Sequence, residues 1–264
     1  MIATMIATLD GWSGFAVLWG VVLAVLLAIY FVLGTVLHLV NRRFPERRIQ
    51  QRAQGAIARD IGQSMAALAS IAVYVAGGLY AAAHGWTPLA PLPASWWSVP
   101  VMGLVSLLLY DTWFYWLHRA MHTPALYRFH ALHHRSITPT TWSNNADSLV
   151  GAFVEQSYFL VVPFLVPIPL EVLIAHKLYD QVTGMISHCG FEYFASPSTR
   201  APWPFLCTIF HDQHHSNFRC NYGNTFSFWD RVMGTLHPRY DGLVEKMTAP
   251  GASTPGSDRT PAGR

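Results

Sequence analysis

The stretch His118–His134 reads HRAMHTPALYRFHALHH and holds five of the chain's thirteen histidines. His118 and His122 are four apart, and His130 lies three before His133 and four before His134. On a helix such spacings put the imidazoles on one face, about 6 Å apart along the axis. The HxxHH pattern returns as His211, His214 and His215 in HDQHH. A single histidine on an apolar face is ordinarily a packed core residue. Eight at these spacings are not explained by packing, because clustered imidazoles either share a cation or repel one another when protonated.

The 264 residues are 52% hydrophobic and only 12% charged, where about a quarter charged is usual. The missing charge implies lipid-facing surface. A net charge of +3 is too mild for a nucleic-acid partner. Charge is concentrated locally instead: Arg42, Arg43, Arg47, Arg48, Arg52 and Arg59 separate the first two apolar runs. Three cysteines, Cys189, Cys207 and Cys220, make no disulfide framework and favour a reducing compartment, and with no CxxC pair they are not expected as metal ligands. The first apolar run is too long for a cleavable signal and has no basic segment before it.

These features predict an all-α membrane protein of three to five transmembrane or re-entrant helices, under a cytoplasmic helical cap that carries a histidine-rich dimetal site. Residues 14–40 are long enough to span with tilt, about 40 Å if helical. Residues 61–83, rich in Ala, Gly and Ser, suit close helix packing. A third span, 98–117, ends in Trp113, Phe114, Tyr115 and Trp116, candidates for a lipid-chain path or for interface anchors. Residues 136–148 read as a polar loop. Residues 149–168 and 170–188 read as a hairpin broken by Pro163, Pro167 and Pro169. The division is 1–96 for the N-terminal helices, 97–240 for the catalytic domain and 241–264 for a disordered tail. The positive-inside rule places 42–59 in the cytoplasm, and the second and third spans then return His118 to that side, with His188 and His211–His215 following.

Neutral imidazoles suit iron, zinc, copper and nickel. Their number exceeds what one tetrahedral ion uses and fits two ions. Paired Glu-x-x-His motifs of a soluble carboxylate-bridged bundle are absent from the sequence. His188 ends the hairpin on the appropriate face and is the ninth candidate. His176, about 18 Å upstream along a helix, is expected in the core with Asp180 as its hydrogen-bond partner. His237 is expected in a surface loop. The carboxylates nearest the motifs in sequence are Asp111, Asp147, Glu192 and Asp212.

The order HxxxH, HxxHH, HCGFE, HDQHH and NYGNTFSFWDRVMGTLHPRY, over about residues 97–240, resembles the fatty acid hydroxylase superfamily and its sterol desaturase branch. A His-Pro pair common in sterol-type members is replaced here by Ser148 and Leu149. The resemblance implies as metal ligands His118, His122, His130, His133, His134, His188, His211, His214 and His215. Asn221 and Tyr222 are expected to form hydrogen bonds behind them, and Asp230 and Arg231 an ion pair. It further implies an O2-dependent oxidoreductase with two iron ions, which hydroxylates or desaturates a C–H position of a sterol, fatty acyl or isoprenoid-type lipid. The iron follows from zinc's lack of redox chemistry. No GxGxxG and no iron–sulfur cysteine set is present in the sequence, so an external donor of the cytochrome b5 or ferredoxin type is implied. The expected location is the bacterial inner membrane or the endoplasmic reticulum, with the site facing the cytoplasm. The alternatives are a metal-handling membrane protein and a catalytically inactive scaffold.

Overall fold

The computed structural model describes residues 2–249. Its helices are α1 (Ile2–Ala7), α2 (Gly11–Arg43), α3 (Ile57–Ala83), α4 (Ser98–Met121), α5 (Leu149–Gln156), α6 (Tyr158–Val161), α7 (Leu170–Ser187), α8 (Thr208–Asn217), α9 (Phe228–Val232) and α10 (Tyr240–Thr248). Extended pairing among the described residues is limited to two isolated bridges, Arg48 with Phe191 and Phe205 with Phe226. The fold is all-α, as the hydropathy pattern requires.

Two helices among the described residues, α2 and α3, are long and apolar enough to cross a membrane. On α2, Val17, Val21, Val25, Val32 and Val36 are exposed, as on a lipid-facing surface. The third expected span forms the body of α4. That helix is not among the two, and its last turns carry Asp111, His118 and Arg119.

The small residues of α2 and α3 let other elements come close. A Cβ on Gly78 would collide with the Phe159 carbonyl oxygen, so α6 packs directly on the α3 backbone. A Cβ on Gly34 would lie 2.7 Å from the Trp142 ring. Tyr30 and Ser64 each donate a hydroxyl hydrogen bond to the Trp142 carbonyl, at 2.8 and 3.2 Å. The loop expected to be merely polar is therefore threaded into the bundle, and Thr140, Thr141, Trp142 and Ser143 are buried.

The prolines act where expected: Pro163 lies in the 3₁₀ turn after α6, and Pro169 precedes the first turn of α7. Helix α7 ends before Gly190, whose φ of +73° and 2.6 Å approach of a built Cβ to the Pro139 carbonyl both require glycine. Ile49 N–H donates to the Gly190 carbonyl at 3.0 Å, and Asn41 donates its side-chain amide to the Cys189 carbonyl at 3.1 Å. These contacts hold the arginine-rich segment at the end of the bundle where α7 delivers His188. The tail expected from residue 241 is corrected in part: residues through Thr248 complete α10, which packs on α8 through Tyr240 and Phe210. The rest of that expectation, 250–264, lies outside the described residues.

Candidate metal centre

Four segments deliver the histidines. Helix α4 carries His118 and ends at His122, where Thr123-Pro124 stops it: a residue before proline disfavours the α conformation. The first HxxHH is not the helix its spacing suggests. It is two 3₁₀ turns, Tyr127–Phe129 and His133–Arg135, with His130 between them. Helix α7 contributes His188 at its C-terminal cap. Helix α8 carries His211, His214 and His215. Its N-terminus has no side-chain cap from Cys207. Buried Glu192 substitutes, accepting the Ile209 N–H at 2.9 Å while it also accepts those of Phe194 and Ala195 at 2.7 and 2.8 Å.

All nine predicted histidines converge, in two groups. One contains His118, His122, His130, His134 and His214; the other contains His133, His188, His211 and His215. Each HxxHH motif divides in the same manner. Its i and i+4 members stay together, and its i+3 member joins the other group. The first motif gives its pair to the five-histidine group, and the second gives its pair to the four-histidine group.

Hydrogen bonds fix several tautomers. Nδ1 of His118 lies 3.0 Å from the Tyr222 carbonyl, that of His214 lies 2.7 Å from the Cys220 carbonyl, and that of His188 lies 2.7 Å from the Gly184 carbonyl. A carbonyl only accepts, so each Nδ1 carries the proton and each neutral ring leaves a lone pair on Nε2. Those lone pairs face other Nε2 atoms: His118 to His130 at 3.1 Å, His214 to His134 at 3.2 Å, and His188 to His133 at 3.2 Å and His211 at 2.9 Å. His134 and His122 are likewise 3.1 Å apart, as are His215 and His211. For a metal–nitrogen bond of about 2.1 Å, adjacent ligands of one ion stand about 3 Å apart. The residues fit a pair of metal ions.

Burial and mutual repulsion hold His133, His134, His211, His214 and His215 well below the ordinary imidazole range. Burial brings His122 down to about 3 and His188 to about 4. These rings stay neutral and able to bind a cation at physiological pH. His130 is the exception. Burial alone would lower it, but the hydrogen bond to Asp147 and the charges of Glu155 and Asp147 outweigh that and raise it. Its Nδ1 is 3.3 Å from Asp147 Oδ2 and 3.7 Å from Glu155 Oε1. A carboxylate behind a ligating imidazole orients the ring and strengthens it as a donor. Cysteine is not a competitor: burial pushes the Cys189 and Cys220 thiols up to about 12, and Cys189 bonds the Phe191 carbonyl instead.

Between the groups lies a cavity of about 50 Å³. It is lined by His118, His133, His188 and His211, by Asp147, Glu155 and Asp180, and by apolar Ile71 and Phe114. Glu155 escaped the sequence reading. The available signal was a lone carboxylate inside the apolar run LVGAFVEQSYFLVV, where an ionisable group is costly unless it has a role.

Several neighbours differ from expectation. His176 bonds Ser106 at 2.7 Å rather than Asp180, because Asp180 is taken by Lys177 at 2.6 Å and Tyr110 at 2.9 Å. His237 is buried, and its backbone N–H donates to Asn221 Oδ1 at 2.7 Å. Asp230 and Arg231 do not pair. Asp230 accepts the N–H groups of Tyr222 and Gly223 at 2.9 and 2.8 Å, and Arg231 pairs with Asp241 at 2.7 Å. Tyr222 reaches His118 through its carbonyl. Asn221 donates its amide to the Phe210 carbonyl at 2.8 Å and so braces α8. The Trp113 and Trp116 side chains line a separate groove that shares no wall residue with the cavity between the histidines.

The family model described as fatty acid hydroxylase matches residues 103–235, which contain every histidine of both groups. Over 193 residues the chain is 28% identical to a Delta(7)-sterol 5(6)-desaturase of Aspergillus fumigatus, covering 71% of this chain and 56% of that protein. It is 30% identical over 180 residues to a putative methylsterol monooxygenase of Dictyostelium discoideum, covering 63% and 62%. With the lathosterol oxidase of Rattus norvegicus it shares 30% identity over 145 residues, 54% of this chain and 48% of that one. The chain thus spans about half the length of the curated relatives it matches. No solved structure matches it.

Proposed function

The chain belongs to the fatty acid hydroxylase family, and from that premise we propose that it is a membrane-bound oxidoreductase that uses two histidine-held iron ions and O2 to hydroxylate or desaturate a lipid. The observation that carries the reading is the set of Nε2 atoms facing one another at 2.9–3.2 Å around a cavity. Wherever neither facing ring carries its proton on Nε2, that arrangement is unfavourable unless a cation lies between the two. Iron, when bound, would supply O2 activation with two external electrons, giving an alcohol and water, or an alkene and two waters.

The chain's own residues do the rest. The five- and four-histidine groups each hold one ion. Carbonyls of Tyr222, Cys220 and Gly184 keep the imidazoles in the ligating tautomer. Ile71 and Phe114 offer a dry wall against which a hydrocarbon can lie. The buried thiols provide no electron relay, so electrons come from a separate donor protein. The histidines and the arginine-rich segment share one end of the bundle, and the positive-inside rule puts that end in the cytoplasm. The desaturase and monooxygenase names of the relatives support a lipid substrate and leave both outcomes open. The two differ only in the placement of a second hydrogen.

The test is lipid mass spectrometry of cells with and without the gene, together with iron analysis of the purified chain. The reading expects two irons per chain and a lipid that gains one oxygen or loses two hydrogens. Stoichiometric zinc without turnover, or no bound metal, would overturn it.

A further inference from the structure

Beside the cavity between the histidines lies an outer one of about 320 Å³ that opens to the surface between α7 and the segment 194–208. The two share Ser187 and Asn224 in their walls. The two cavities are therefore neighbours, with those side chains between them. The other large cavities lack this connection. The apolar one between α1, α2, α3 and α7, about 610 Å³, shares no residue with the inner cavity, and neither does the groove at Trp113 and Trp116.

The lining of the outer cavity is amphipathic without charge. Thr183, Ser196 and Thr208 offer hydroxyls, while Ile186, Phe194 and Leu206 offer apolar surface. No Asp, Glu, Lys, Arg or His lines it among the described residues. A phosphate or carboxylate drawn into such a place would lose its hydration and find no counter-ion, a penalty that a hydroxyl or carbonyl avoids by hydrogen bonding. Of its lining residues, Tyr179 and Phe194 are each about half exposed, at 45% and 50%. Exposed aromatic rings of this kind sit at the headgroup level of a bilayer.

We propose that this cavity is the entrance and specificity filter for an uncharged lipid, with Ser187 and Asn224 as the neck through which its reacting carbon reaches the histidines. The proposal rests on the lipid-oxidation reading above. A ligand with a small polar group keeps that group among the hydroxyls and sends its hydrocarbon inward; one with an anionic headgroup is refused at the mouth.

The test uses the iron-loaded full chain in detergent and two photoreactive probes of equal chain length, a diazirine-bearing hexadecanol and its phosphate monoester. The alcohol is expected to label Thr183, Ile186, Phe194 or Leu206 at least about tenfold more than the phosphate. Thr183→Trp, which fills the cavity, is expected to abolish that labelling with iron content and melting temperature unchanged; Thr225→Trp serves if the first variant does not fold. Equal labelling by the phosphate, labelling concentrated at Trp113 and Trp116 or on α1, or labelling undiminished in the Trp variant would overturn it. If the alcohol labels the cavity but no lipid is ever oxidised, the entrance stands and the proposed function falls. If lipid oxidation is unimpaired in Thr183→Trp, the entrance falls and the proposed function stands.

Discussion

The five-histidine and four-histidine groups are built from the same motifs but face different surroundings. The five-histidine group has carboxylates behind it, Asp147 and Glu155 against His130. The four-histidine group turns three of its members, His133, His188 and His211, to the cavity. More donors with a carboxylate behind one of them favour tight retention of an ion. Fewer donors with open space before them leave a position for a reactant, as catalytic metal sites do and structural ones do not. If each group holds an ion, the difference predicts unequal roles, one group anchoring the centre and the other meeting the substrate.

The crossing residues break the comparison most severely. His133 sits in the motif that otherwise serves the five-histidine group, and His214 in the motif that otherwise serves the four-histidine group. His133→Ala should lose the ion of the four-histidine group, and His214→Ala that of the five-histidine group. In each case we expect about one iron per chain, turnover down by more than about a hundredfold and membrane insertion intact. Metal analysis and single-turnover assays check this. Turnover near the wild-type level in either variant would break the assignment.

A milder test separates anchoring from reaction. Asp147→Asn and Glu155→Gln each change one carboxyl group beside His130. Each should weaken iron retention by roughly ten- to a hundredfold, measured by competition with a chelator, with the second iron lost at the wild-type rate. Equal loss of both irons would show that the carboxylates serve the whole centre.

Acid should destabilise both halves of the iron-free protein, in a window set by the imidazoles. His122 and His188 have folded values of about 3 and about 4, against an unfolded value near 6.5. Between these limits the unfolded chain binds more protons than the folded one, so stability falls as pH drops below about 6.5 and is intact above it. Each such group contributes a slope of about 1.4 kcal/mol per pH unit. Melting temperatures of chelator-treated protein from pH 7.5 to 5 should decline steeply below pH 6.5. A flat profile would mean that the rings are not held neutral by burial.

How much of this was legible beforehand follows from range. Helices α2, α3, α4 and α7 are written in long apolar runs and in proline positions, because those signals act within a few turns of chain. The nine histidines are legible because imidazoles at these spacings have few other uses. What spacing did not show is the division into groups. It depends on the 3₁₀ turns at His133–Arg135 and on α8 meeting them from the other side, which are tertiary facts. Asp230 was misread for the same reason: its neighbour in sequence, Arg231, turns to Asp241, while Asp230 holds the loop that presents the Tyr222 carbonyl. Only the folded chain brings His130 and Glu155 together across 25 positions of sequence.

The smallest expected effect is a null one, and it sharpens the contrast between the histidine centre and the rest of the bundle. His84 stacks on Tyr80 with ring centroids 3.9 Å apart and lies 3.7 Å from Asp10 at the far end of α3. The near end of that helix, at Asp60, is tied to Ser136 beside the first HxxHH at 3.2 Å. Some two dozen residues of helix, about 36 Å at 1.5 Å each, separate His84 from the histidine groups. His84→Ala therefore removes ring contacts with Tyr80 and Trp86, the hydrogen bond to the Tyr80 carbonyl and the Asp10 contact, all local, and leaves the centre untouched. Iron content should equal that of the wild type, and turnover should change by less than about twofold. His38→Ala, on α2 and outside both groups, should behave alike. Iron loss in either variant would mean that the two groups are not the whole centre; for His84, a helix packed along that length transmits too little displacement to empty a site of four or five imidazoles.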